Sequence, residues 1–224
     1  VTRSWTVLDT IPTADGALEL RTSGPERFVI TIAGRVLMTS VARRSEEALA
    51  TLGCGPIAGR AAPQVLIGGL GMAYTLRAAL DALPADAKLT VVELTPAVVR
   101  WCQGPLAALA AQAVHDPRVE LRLDDVARHL RHCPPGSYDA ILLDLYEGPH
   151  AATQRPDDPF WGSAALSRCH KALRPGGTLA IWSEAPDPAF PNRFAAAGFT
   201  VTTHRSGKGG STHIVYLGER RSGR

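Results

Sequence analysis

The segment Gln64-Val65-Leu66-Ile67-Gly68-Gly69-Leu70-Gly71-Met72-Ala73-Tyr74-Thr75-Leu76 constrains this chain more than any other. An apolar strand runs into a glycine turn and then into a helix. Gly69 and Gly71 let backbone approach a ligand closely at a helix N-terminus, and the same glycines suit a tight strand-to-helix turn. The next apolar run, Val91-Val92-Glu93-Leu94, carries one acid. An acid ending the second strand of such a unit can accept both hydroxyls of a ribose. Together these features predict a nucleoside-binding βαβ unit, with Glu93 on the sugar.

After Pro63 strands and helices alternate. Strands are predicted at Gln64–Ile67, Leu89–Glu93, Val119–Leu123, Ala140–Asp144 and Thr178–Trp182, and helices at Ala73–Ala82, Pro96–Gln112, Val126–Arg131, Phe160–Leu173 and Ala189–Ala197. Continuous apolar strands such as Ala140-Ile141-Leu142-Leu143 require burial on both faces, as in a parallel sheet. Leu173-Arg174-Pro175-Gly176-Gly177 reads as a helix stop and turn. Phe199–His204 and His213–Leu217 flank a glycine-rich stretch, Ser206–Ser211, read as the connection of an antiparallel closing hairpin.

Ahead of this unit, Leu18–Leu20, Phe28–Ile32 and Val36–Thr39 form a small antiparallel hairpin region. A helix follows at Ser45–Leu52, with Ser45 as N-cap. The division expected is residues 1–52 for the hairpin region and helix, and 53–224 for the nucleoside-binding domain. Gly53–Pro63 is a connector. Ligands of an open parallel sheet bind at the carboxyl ends of its strands. Those ends carry Glu93, Asp124-Asp125, Asp144 with Glu147, and Glu184, an acidic mouth on an apolar scaffold.

From about Arg35 to Trp182 these residues resemble the spermidine-synthase family of aminopropyltransferases, within the S-adenosylmethionine-dependent methyltransferase fold class. Gly69-Leu70-Gly71-Met72-Ala73-Tyr74-Thr75-Leu76-Arg77 resembles the family's glycine loop, and Val92-Glu93-Leu94-Thr95-Pro96 its ribose-binding acid and following helix. Leu123-Asp124-Asp125-Val126 resembles its adenine-side motif, and Tyr138-Asp139-Ala140-Ile141-Leu142-Leu143-Asp144 the strand bearing its catalytic aspartate. Arg44-Ser45-Glu46-Glu47 lies where the family has a Tyr-His/Gln-Glu helix start. The resemblance implies an α/β, Rossmann-like class I methyltransferase fold with an antiparallel C-terminal hairpin.

It also implies site roles. Asp144 orients or deprotonates the acceptor. Glu93 and Asp125 hold the adenosine, with Asp124 as the cap of the next helix. Tyr146, Glu147 and Glu47 border a small-molecule acceptor. The departures bear on the reaction. Met72 stands where the family's glycine loop has an aspartate, Met38 replaces a Gln near the donor, and Asp144-Leu145-Tyr146-Glu147-Gly148-Pro149 replaces Asp-Ser-Ser-Asp-Pro. Without an acid at 72, loop N–H groups and the helix dipole are expected to be open to the α-carboxylate of ordinary S-adenosylmethionine. Methylation of a small molecule is therefore the first reading. Aminopropyl transfer from decarboxylated S-adenosylmethionine to a polyamine is the alternative, and a non-catalytic nucleoside-binding protein the third.

Composition narrows the partners. The net charge of +3 over 224 residues, with scattered arginines, gives no basic face for nucleic acid. The cluster Arg220-Arg221-Ser222-Gly223-Arg224 reads as a solvated end. No apolar run approaches the roughly 20 residues of a membrane span. With no leader pattern at Val1–Asp15 and no CxxC among Cys54, Cys102, Cys133 and Cys169, a reduced cytoplasmic setting is expected. His129, His132 and Cys133 have no second ligand cluster, so no metal is expected. A homodimer would bury the apolar face of the N-terminal hairpin.

Overall fold

The computed structural model describes residues 4–150, 153, 155–206 and 213–221. Four N-terminal strands, β1 (Thr6–Thr13), β2 (Gly16–Gly24), β3 (Arg27–Ile32) and β4 (Arg35–Thr39), form an antiparallel sheet in chain order. Sequence reading misses β1. It is an edge strand with most side chains in solvent, and it contains Asp9 and Pro12, residues that strands disfavour. Asp9 nonetheless ties it down, accepting from Trp101 Nε1 at 2.8 Å.

Helix α1 (Arg44–Cys54) links this sheet to a seven-stranded one of order β10-β11-β9-β8-β5-β6-β7. Its strands are β5 (Gln64–Gly68), β6 (Lys88–Glu93), β7 (Val119–Leu123), β8 (Tyr138–Leu143), β9 (Leu173–Ser183), β10 (Phe199–Ser206) and β11 (His213–Arg220). The pairs β5–β6, β6–β7, β5–β8 and β8–β9 are parallel, whereas β11 runs antiparallel to both β9 and β10. The connection between β10 and β11, where the glycine-rich stretch falls, lies outside the described residues beyond Ser206. The tail beyond Arg221 does too.

Helices α2 (Tyr74–Ala82), α3 (Pro96–Gln103), α4 (Val126–His132), α5 (Ser163–Ala172) and α6 (Phe190–Ala196) complete the fold. One apolar cluster joins the N-terminal sheet through Leu20, Phe28 and Ile30 to Leu49 of α1, Leu76 of α2 and the sheet residues Val65, Ile67 and Leu142. A second covers the opposite face, where Leu66, Ile141 and Ile181 meet Leu130, Leu166, Phe190 and Phe194.

Four local expectations change. Leu173–Gly177, read as a helix stop and turn, is the start of β9, with Leu173 paired to Tyr138 ahead of a register shift. The helix from Pro96 stops at Gln103, because Gly104 leaves helical geometry and Pro105 has no N–H to continue it. Two short 3-10 turns follow. Helix α5 starts at Ser163 rather than Phe160, since Asp158 Oδ1 accepts from Phe160 and Trp161 backbone N–H at 2.9 and 2.6 Å and holds a turn there. Ser45 is not an N-cap. Arg43 occupies that position, and the Ser45 hydroxyl instead donates to Glu46 Oε2 at 2.6 Å.

Candidate active site

Strand order reverses between β5 and β8, so their carboxyl ends open a crevice. The glycine turn after β5 forms one wall. Gly69 has φ +87°, and a Cβ there would lie 2.3 Å from the Asp144 carbonyl oxygen. Gly71 has φ +51°, and its Cβ would meet Met38 Sδ at 3.1 Å. Close backbone packing thus accounts for Gly69, and the left-handed backbone conformation for Gly71. Ala73, in the left-handed region at φ 63°, precedes α2.

Glu93 closes the turn from the side. Its Oε2 accepts from Leu70 N–H and its Oε1 from Thr95 N–H, each at 2.8 Å. Burial pushes its pKa up, and these backbone donors pull it back. The Leu94 backbone and the Thr95 side chain bond Glu93 as well, so the carboxylate is fixed in one orientation beside the turn. Two apolar side chains that sequence reading passed over, Leu94 and Leu123, stand 72% and 57% exposed beside these strand ends.

The glycine loop is less open to an anion than its sequence suggests. Gly69 N–H donates to Val92 O, Leu70 N–H to Glu93, Met72 N–H to Met38 Sδ and Ala73 N–H to Leu70 O. The Met72 side chain is fully buried.

The helix cap falls on Asp125 rather than Asp124. Asp125 is the N-cap of α4, its Oδ1 accepting from Ala127 N–H at 2.7 Å and Arg128 N–H at 3.4 Å. Asp124 Oδ1 takes Asp125 N–H and the Arg128 guanidinium, which holds its pKa below the ordinary carboxylate range. Its Oδ2 takes neither.

Asp144 follows β8 and stands at the centre of the crevice. Thr75 Oγ1 donates to its Oδ2 at 2.6 Å and also lies 3.5 Å from the Glu46 carbonyl oxygen. Burial, together with the nearby Glu46 carboxylate, raises the Asp144 pKa to about 7, against the lowering effect of Thr75. No cation pairs with Asp144 or Glu46 among the described residues. Glu46 is buried at 6% exposure. Glu47 turns to another face of α1, pairing with Arg43 at 3.1 Å and lining an open cavity of about 440 Å³ between α1 and α2. The first-turn acid beside Asp144 is therefore Glu46. The choice between adjacent acids depends on the rotation of α1, which the sequence pattern leaves undefined.

On the far side of Asp144, Tyr146 is half-exposed and Glu147 adopts φ +65°. Both meet Arg35, a residue to which the sequence pattern gives no role in the site. Its Nη1 reaches Glu147 Oε1 at 2.7 Å, its Nη2 reaches Glu184 Oε2 at 2.8 Å, and its Cζ lies 4.9 Å from the Tyr146 ring centroid. This holds the Glu147 pKa below its ordinary value. Trp182 falls one step beyond the last paired residues of β8 and β9, Leu143 and Ile181, beside Asp144, and stacks on His213 at 5.1 Å.

Metal-ligand chemistry is not assembled here. Among the described residues no group of three or more His, Cys, Asp or Glu side chains is placed to hold an ion. His129 faces Tyr138 Oη at 2.7 Å, while His132 Nδ1 lies 2.9 Å from Arg128 O. No described helix is long and apolar enough to cross a membrane.

The mostly parallel sheet, its reversed β11 and the crevice at the strand-order switch define the Rossmann-like class I methyltransferase fold. A family profile described as the spermine/spermidine synthase domain matches residues 61–187, and the chain belongs to that family. It is 34% identical over 99 residues to a polyamine aminopropyltransferase of Prochlorococcus marinus, covering 44% of this chain and 33% of that protein. It is 35% identical over 122 residues to putrescine N-methyltransferase 4 of Nicotiana tabacum, covering 54% of this chain and 30% of that one. The chain thus spans about a third of the length of these curated relatives. A spermidine synthase structure from Thermotoga maritima shares the fold at a TM-score of 0.70 and 18% identity, covering 95% of this chain and 72% of that one. A spermidine synthase in complex with the transition-state analogue AdoDATO aligns at 0.72 and 17%, covering 96% and 72%.

Proposed function

We propose that this chain transfers an alkyl group from an S-adenosyl sulfonium to the nitrogen of a small amine. The spermine/spermidine synthase profile supports aminopropyl transfer from decarboxylated S-adenosylmethionine as the form of that transfer. One observation carries the reading. Asp144 is an acid with no cation partner among the described residues, its pKa raised to about 7, at the mouth of a nucleoside-binding fold. An amine is a nucleophile only after losing its proton, and a carboxylate of raised pKa is suited to take that proton near neutrality.

In the step proposed, the amine lone pair forms a C–N bond while the C–S bond breaks. Sulfur keeps the bonding electrons and leaves as a neutral thioether, and the nitrogen's proton passes to Asp144. Thr75 holds the Asp144 carboxylate in one orientation, so alignment rather than new covalent chemistry is what the protein contributes. Glu93 takes the ribose hydroxyls. Leu94 and Leu123 flank the base, and Asp124 Oδ2 accepts from its amino group. Tyr146 borders the acceptor.

A second reading, methyl transfer from ordinary S-adenosylmethionine, is favoured by Met72. This buried apolar residue presents no charge to repel the donor's carboxylate. The engaged N–H groups of Gly69, Leu70, Met72 and Ala73 weaken the other argument for it, while the N-terminus of α2 still supports it. Incubation of the protein with each donor and a panel of amines separates the readings. Aminopropyl transfer releases methylthioadenosine, and methyl transfer releases S-adenosylhomocysteine. A donor that binds in a calorimetric titration yet yields neither product would support a non-catalytic nucleoside-binding protein. Failure of both donors to bind at millimolar concentration would refute all three.

A further inference from the structure

Three carboxylates gather at the ends of β8 and β9: Asp144, Glu147 and Glu184. They differ in what they face. Arg35 begins β4, after a turn in which Ala33 and Gly34 have φ +46° and +81°. That turn carries its guanidinium across from the N-terminal sheet to span Glu147 and Glu184 at 2.7 and 2.8 Å, over the ring of Tyr146. The two acids are themselves joined, Glu184 N–H donating to Glu147 O at 3.1 Å. Only Leu145 and Tyr146 separate Glu147 from Asp144 in the chain, so the guanidinium meets the first of its two acids on the loop that leaves Asp144.

We propose that Arg35 determines acceptor specificity by occupying the place where a second ammonium group would bind. The inference rests on the amine-transfer reading above. An acceptor's reacting amine meets Asp144, backed by Glu46. The far end of an α,ω-diamine would meet two acids already neutralised, and beside them a guanidinium of its own sign. The favoured acceptor carries a single cationic group and a far end that is neutral or anionic. Arg35 and Glu184 are each about half exposed, with side-chain exposures of 48% and 53%. Water screens such a pair, so a diamine can displace it at modest cost. Discrimination of about tenfold, rather than exclusion, is the scale expected.

The test compares butylamine, 4-aminobutanoate and putrescine, which share a four-carbon chain and differ at one end. With whichever donor is turned over, the wild-type protein should show kcat/KM about tenfold higher for the first two than for putrescine. Arg35→Gln should shift the ratio about tenfold toward putrescine, through KM. Arg35→Lys keeps the charge but not the two-acid bridge, and should fall between. A wild-type preference for putrescine, or an unchanged ratio in Arg35→Gln, overturns the proposal. A purely structural Arg35 would lower kcat for all three amines together, which is such an unchanged ratio. If neither donor is turned over, the amine-transfer reading fails by itself. The relative affinities of butylamine and putrescine for wild-type and Arg35→Gln protein, titrated with methylthioadenosine present, then decide the inference by the same ratio.

Discussion

Asp144→Asn is expected to make this protein more stable and inactive at once. The carboxyl moves from an ordinary 3.8 to about 7 because burial and Glu46 disfavour its charged form. Each tenfold change in proton affinity is worth about 1.4 kcal/mol. Unrelieved, the shift would amount to about 4 kcal/mol. Asp144 is only partly buried, so water relieves much of this, and about 1–2 kcal/mol is expected to remain. The sign follows from linkage. Below about pH 4 the group is neutral in folded and unfolded chains alike, and its raised pKa carries no penalty. As pH rises toward 7 the unfolded chain ionises while the folded one resists, so wild-type stability falls, and above 7 the loss is constant. Asn cannot ionise, yet it is close in shape and its side-chain carbonyl can still accept from Thr75. Melting curves from pH 4 to 8 should therefore show the variant gaining about 2–8 °C over wild type by pH 8, at about 2–4 °C per kcal/mol, with no gap near pH 4. The same variant should lose about 10²–10⁴ in kcat through loss of the base. A gap independent of pH, or a variant less stable than wild type at pH 8, would refute the raised pKa. Retained turnover would refute the role as base.

Glu93→Ala leaves the Leu70 and Thr95 N–H groups without their acceptor, so destabilisation of about 3 kcal/mol and a fall in Tm of about 6–12 °C are expected, with nucleoside binding lost in calorimetry. Gly69→Ala should be far more damaging than Gly71→Ala, in both Tm and turnover. The first Cβ strikes the backbone oxygen of Asp144 at 2.3 Å, while the second meets the flexible end of Met38 at 3.0 Å. Asp125→Ala should cost the about 1 kcal/mol of a helix N-cap, read in Tm, and change nucleoside affinity less than tenfold. Asp124→Ala should do the reverse.

The parallel core was legible because both its faces are buried. Val65, Leu66 and Ile67 are apolar in succession and lie under one apolar cluster or the other. Such runs mark position in the sheet without any alternation to interpret. The acids at the strand ends were legible for the complementary reason, since a lone charge after an apolar strand must lie at a sheet edge. Less could be read where rotation or long-range approach decides. Glu46 and Glu47 are adjacent on α1, and only the packing of that helix against α2 turns one inward. Asp124 and Asp125 are adjacent before α4, and the helix start selects Asp125 as its cap. Arg35 lies 112 positions from Glu147 in sequence, so no local pattern could join them.

Strand β8 carries its own control for the central assignment. Asp139 and Asp144 stand at its opposite ends, and a carboxylate near a strand end has a bland explanation, the neutralisation of nearby backbone and cations. Asp139 meets that explanation fully. It is 2% exposed, pairs with Arg60 at 2.6 Å and Arg174 at 2.7 Å, and accepts from Gln64 N–H at 2.8 Å. It pins β8 to β5 and to the start of β9 at the amino ends, away from the crevice. Among the described residues Asp144 has one hydroxyl donor and a neighbouring carboxylate in place of an arginine, with the crevice in front of it. A fold that needed only a staple would supply a cation at both ends of the strand. Two acids on one strand, one saturated and one held short of its charge, are what separates a structural carboxylate from one kept ready to accept a proton.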